Sequence, residues 1–108
     1  MTRKRTLPLA ILAVLMSSNP SVGYNLRGPG GSSCGTWTVD RRSNEELAML
    51  DLCWVLGFLT SIGYNGLGDP LNGVDAEGVG GWVDNYCQAH PIDEIVDAAQ
   101  AFYRVHPR

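Results

Sequence analysis

The stretch LAMLDLCWVLGFLTSI, Leu47 to Ile62, constrains this chain more than any other. It carries one charged side chain, Asp51, and is too long for a strand, so it reads as a helix. Just ahead of it, SNEE (Ser43 to Glu46) has capping-box spacing, in which the Ser43 hydroxyl accepts the Glu46 backbone N–H while the Glu46 carboxylate reaches back. Gly63 and the run GYNGLGDPLNG, ending at Gly73, then supply the residues that stop a helix and make a loop. Leu47, Leu50, Trp54 and Phe58 share one face, and Leu52 to Leu59 is apolar nearly all round. These features predict the central and most buried helix of a small helical domain.

Two more helices follow. Asp75 is placed to cap one, with Val79, Trp82, Val83, Tyr86 and Cys87 at inward spacing and Asp84, Asn85 and Gln88 outward. Gly78, Gly80 and Gly81 weaken its first turns, each by about 1 kcal/mol against Ala. Pro91 suits the first position of the last helix, with Asp93 and Glu94 near its positive end. Ile92, Ile95, Val96, Ala99, Phe102 and Tyr103 form its expected buried stripe, and Pro107 ends it. Residues 24–33 are rich in glycine and almost free of apolar side chains, which predicts a flexible arm before a single domain over residues 34–108. No segment alternates as a strand does, so the expected fold is all-α, a three- or four-helix bundle.

At the N-terminus, Arg3, Lys4 and Arg5 precede the apolar run LPLAILAVLM (Leu7 to Met16) and the small polar stretch SSNPSVG. This is the layout of a secretory signal peptide over residues 1–23, with cleavage expected after Gly23. The run is about half the length of a bilayer span, so no stable membrane anchor is expected after cleavage. Residues 24–108 then hold five basic and eleven acidic side chains, a formal charge of −6, and no lysine. Such a surface repels phosphate backbones, which excludes nucleic acid as a partner class. A domain this short also gains from a covalent staple.

WVDNYCQAH (Trp82 to His90) places Cys87 three residues before His90. Four ligands, Cys34, Cys53, Cys87 and His90, would be needed for a zinc site, but Cys34 and Cys53 form no second close pair, and an exported chain oxidises its thiols. As a nucleophile pair, Cys87 and His90 lack an orienting third group, and capping with surface exposure accounts for His90. Asp69, Asn72, Asp75 and Glu77 miss the EF-hand spacing and read as a loop followed by a helix cap. Trp37, Trp54 and Trp82 read as core bulk rather than a ligand cage. Asp51, beside an apolar face, needs an internal partner, for which Arg41 and Arg42 are candidates, or else lies exposed in a partner-binding groove.

SCGTW (Ser33 to Trp37), WVLGFL (Trp54 to Leu59) and WVDNYC (Trp82 to Cys87) together resemble a group of small exported bacterial proteins of uncharacterised activity. The overall plan of residues 33 to about 105 resembles HdeA-type periplasmic acid-stress chaperones and small helical periplasmic immunity proteins. The resemblance implies a compact helical domain that binds other proteins and carries over no catalytic residue; no metal or cofactor is expected. It also implies a disulfide between Cys34 and Cys87, while Cys53 departs from the pattern and keeps the 53-to-87 pairing open. Loop-closure entropy hardly separates the two pairings. Position favours the first, because Cys34 would anchor a loose arm and Cys53, in an apolar helix, would pack as a buried thiol.

The expected function is therefore an exported, periplasmic or secreted, non-enzymatic protein-binding module, chaperone-like or inhibitor-like. Asp51, Trp54, Phe58, Trp82 and Tyr86 are its candidate partner-binding residues. A small thiol-dependent enzyme or redox protein using Cys53 or Cys87, and a structural envelope component, are the alternatives.

Overall fold

Asn44 turns one helix into the next. Its extended backbone (φ −149°, ψ 97°) closes α1, Cys34–Ser43, and its side chain accepts the Leu47 N–H to open α2, Glu45–Tyr64. Two further helices, α3 (Ala76–Ala89) and α4 (Ile95–Val105), and a short 3-10 turn, Pro29–Gly31, complete the chain over residues 23–108, which the computed structural model describes. The expected signal segment, apart from Gly23, lies outside the described residues. Among the described residues there is no β-strand, only an isolated bridge between Ser33 and Glu94. The all-helical fold agrees with expectation, as four helices rather than three.

The helix beyond the three located from the sequence is α1, at the start of the expected domain. Ser33 caps it by accepting the Thr36 N–H at 3.0 Å, and Arg41 and Arg42 occupy its last turn, where cations favour the negative end of the dipole. The expected SNEE box does not form. Ser43 is still helical and its hydroxyl donates to the Val39 carbonyl, so the cap passes to Asn44.

The segment predicted as a flexible arm is partly packed. Gly30 is buried, and the Trp54 indole N–H donates to the Arg27 carbonyl at 2.9 Å. A Cβ on Gly30 would overlap the Trp54 ring, so only glycine lets the turn lie flat on that indole.

The centre of the fold differs too. α2 buries only Asp51, Val55, Leu59 and Ile62, whereas α4 buries Ile95, Val96, Ala98, Ala99, Ala101 and Phe102. The reason is geometric: α2 is apolar on all sides and can turn only one of them inward, while α4 is amphipathic. α4 begins later than expected. Pro91 to Asp93 form a turn, Glu94 is the N-cap, and Asp97 closes a reciprocal box by accepting the Glu94 N–H at 2.8 Å. Ile92, expected in the buried stripe, is consequently 92% exposed.

Backbone hydrogen bonds tie the start of α1 to the turn before α4. Cys34 N–H donates to Asp93 O at 2.7 Å, Gly35 N–H to Pro91 O at 3.0 Å, and Ile95 N–H to Ser32 O at 2.8 Å. The Cys34–Cys87 disulfide sits beside them, with a Cα–Cα separation of 4.7 Å, and joins α1 to α3 as expected. Trp37, Val55, Leu59, Val79, Val83, Ile95 and Phe102, all essentially inaccessible, fill the space between the four helices.

Candidate functional site

The feature left unfilled by this packing is the outer face of α2. At 100° per residue, Met49, Leu50, Cys53, Gly57, Thr60 and Tyr64 fall within a stripe opposite Val55, and all six are exposed. Leu47 flanks them, so that Leu47, Met49 and Leu50 are 43%, 63% and 56% exposed. A shallow groove of about 680 Å³ lies among Glu45, Glu46, Leu47, Met49 and Leu50. By length and composition α2 would span a bilayer, yet its inner residues Val55, Leu59 and Ile62 belong to the folded core and Asp51 lies about a third of the way along it.

Cys53 is on this stripe. It is an exposed thiol, not the buried one expected, because the helix turns it away from Val55. Among the described residues no histidine, lysine or arginine side chain hydrogen-bonds to it. His90 and His106 engage the carbonyls of Tyr86 and Phe102 through Nδ1, each four residues back along its helix. His90 is exposed and caps α3, as expected. No group of three or more His, Cys, Asp or Glu side chains among the described residues is arranged to hold a metal ion. The loop from Asp69 leads instead to Asp75, whose carboxylate caps α3 by accepting the Gly78 N–H at 2.8 Å.

The five residues expected to bind a partner are dispersed. Asp51 is inside, 4% exposed, and its neighbour is the 7%-exposed Asp40 rather than an arginine. Among the described residues its Oδ2 has no hydrogen-bond partner. Burial, and then the adjacent Asp40 carboxyl, push the Asp51 acid up to about 7. Arg41 is unavailable because it grips Asp84 at 2.7 and 2.8 Å. Asp84, expected to face outward, thus faces α1.

Trp54 and Phe58 stack at 5.6 Å beneath the Pro29–Gly31 turn, partly buried. Trp82 and Tyr86 lie on α3, stacked at 5.8 Å, with Phe102 edge-on to Trp82. Tyr86 donates to Asp93 Oδ2 at 2.6 Å, a bond that leads the causes pushing its phenol up to about 12. These four aromatics mostly hold elements together. Trp37 fits the core reading in full, while Trp54 and Trp82 are only partly buried.

Sequence reasoning missed Met49, Cys53 and Gly57 as surface residues. The available signal was the stripe of Cys53, Gly57 and Ser61 at four-residue spacing, smaller than the Val55, Leu59 and Ile62 row on the opposite side. No known protein family, curated protein or solved structure matches this chain. The closed disulfide agrees with an oxidising compartment.

Proposed function

We propose that the chain is an exported, non-enzymatic protein-binding module, chaperone-like or inhibitor-like, whose contact surface is the outer face of α2. One observation carries this reading: a 20-residue helix of mostly apolar sequence exposes Met49 and Leu50 on its outer face, with Leu47 lining the same groove. Exposed apolar surface of this kind marks interaction sites. Partner binding hides it from water at roughly 25 cal/mol per Å². The charge of −6 over residues 24–108 and the absence of lysine there direct the face toward protein rather than nucleic acid or an anionic membrane. A thiol enzyme would need a base or cation beside Cys53, and none of the hydrogen bonds at this face provides one.

The test is suppression of light scattering by an unfolding reporter enzyme, at neutral pH and near pH 2. The protein reduces scattering in the chaperone-like case, and Met49→Asp with Leu50→Asp abolishes the effect while leaving the helical signal intact. Undiminished aggregation at both pH values and several ratios removes the chaperone-like version. The inhibitor-like version then stands or falls on whether a single folded partner co-purifies with the protein and is lost with the same two substitutions.

A further inference from the structure

We propose that Asp51, set against Asp40, is a proton-dependent clasp on the corner between α1 and α2. With its proton the corner is shut, and without it the stretch from Asp40 to Asp51 opens locally while the rest of the fold holds.

Position is the first argument. The buried row of α1 is Cys34, Trp37 and Asp40, and that of α2 is Asp51, Val55, Leu59 and Ile62. Asp40 ends one row and Asp51 starts the other, so the two rows meet at a pair of carboxyls on either side of the turn at Asn44. The two side chains are 7% and 4% exposed, and among the described residues Asp51 Oδ2 has no hydrogen-bond partner. A carboxylate buried without a donor or counter-charge is costly. Taking up a proton removes that cost, and so does opening to water.

No cation on the surrounding elements relieves Asp51. On α1, Arg41 is held by Asp84 of α3, and Arg42 is exposed. Arg27, ahead of the Pro29–Gly31 turn, and Arg104 on α4 are exposed as well. Glu45 and Glu46 on α2 and Glu77 on α3 point to solvent, and Asp97 on α4 accepts the Glu94 N–H. Of these charged groups only Asp40 acts on Asp51, and it adds to the effect of burial in favouring the protonated acid.

The corner can open without the rest. The side-chain bonds of Trp37 and Arg41 run to α3, and the disulfide with the Cys34 and Gly35 N–H bonds fixes the opposite end of α1. Across the corner run the bonds of Asn44, which donates to Asp40 O and accepts the Leu47 and Ala48 N–H groups. Local opening is drawn from segments tied by few such contacts. Glu45, Glu46, Leu47, Met49 and Leu50, which line the shallow groove, all lie within this stretch, so loss of the proton loosens the groove too. The clasp stands whether or not that groove binds a protein.

Hydrogen exchange on the exported protein, its disulfide closed, tests this. An opening that releases one proton becomes about tenfold more favourable per pH unit between the ordinary carboxylate value and the raised one. With the intrinsic pH dependence of exchange divided out, protection of the amides from Arg41 to Asp51 should therefore fall about a hundredfold from pH 5 to pH 7. At pH 8 it should lie below that of Ala99 and Phe102 on α4. Asp51→Asn should make the corner's protection flat over the same range. Asp40→Asn, which removes the neighbouring carboxyl but not the burial, should make the fall smaller. Protection that is flat in the wild type, or that falls equally in Asp51→Asn, overturns the proposal. So does a corner as protected as Ala99 and Phe102 at pH 8, because the proton would then be lost only with the whole fold.

Discussion

The Trp37 indole N–H and the Arg41 guanidinium converge on one carboxylate, Asp84, the indole at 2.7 Å from Oδ1 and Arg41 on both oxygens. Two α1 residues thereby hold α3 at a point where Gly80 allows close approach, since a Cβ there would meet Arg41 Nη2 at 3.2 Å. Burial raises the Asp84 acid, but the hydrogen bonds from Arg41 and Trp37 together outweigh it and hold the carboxyl below its usual range. The contribution is present above the unfolded carboxylate value and is lost as pH falls through the lowered folded value. Asp84→Ala should cost about 1–3 kcal/mol at pH 7, much of it from leaving the Trp37 donor unpaired. Urea unfolding at pH 7 and pH 3 should show the difference between wild type and variant shrinking at the lower pH.

Asp51 has the opposite sign. Its acid is raised to about 7, so between the unfolded carboxylate value and about 7 the folded state binds the extra proton and stability falls as pH rises. Above that range the Asp51 carboxylate is ionised beside Asp40 with little water. Asp51→Asn keeps the shape and supplies a permanent N–H donor toward Asp40. The variant should melt at a higher temperature than wild type at pH 8, and at nearly the same temperature at pH 4.5. A wild-type melting temperature equal to that of the variant at pH 8 would show that Asp51 carries no such cost.

The disulfide closes a separation of 53 residues. Constraint of the unfolded chain gives about 4 kcal/mol for a loop of that size. The Cys34→Ala, Cys87→Ala double variant should lose about 2–5 kcal/mol in chemical unfolding. Because the backbone N–H of residue 34 also donates to Asp93 O, hydrogen exchange at position 34 and at Ile95 should accelerate most.

Gly30→Ala tests the packed arm. The added methyl cannot share space with the Trp54 ring, so the Pro29–Gly31 turn should lift at a cost of about 1–3 kcal/mol. Trp54 emission should shift to longer wavelength, and cleavage by trypsin after Arg27 should quicken.

Helix type and order were legible wherever apolar spacing or a capping residue acted locally: Asp75 caps α3, and Ile95, Val96, Ala99 and Phe102 line α4 as their spacing requires. The disulfide partner followed from position and resemblance. What was not legible depended on contacts distant in sequence. Gly30 looks like linker until Trp54 lies over it, and α1, polar on average, is held by Trp37, Asp84 and the disulfide rather than by its own periodicity. The outer face of α2 was hidden for another reason. A helix apolar on every side does not say which side is turned inward, and Asp51, for which an arginine partner or an exposed groove was expected, lies inside with Asp40.

Acid should separate the covalent tether from the packing. Protonating the eleven carboxylates carries residues 24–108 from −6 to about +7 once both histidines are charged, and self-repulsion then opposes the compact state. The Arg41 contact with Asp84 weakens, since its carboxylate is neutralised, whereas the Cys34–Cys87 bond still joins α1 to α3. Near pH 2 the expected state keeps far-UV helical signal, loses near-UV aromatic signal and binds a hydrophobic dye. Reduction at that pH should remove most of the remaining helical signal. Simultaneous loss of far- and near-UV signals with the disulfide intact would mean ordinary acid unfolding, and would take away the loosened helical state through which an acid-active chaperone would present its apolar faces.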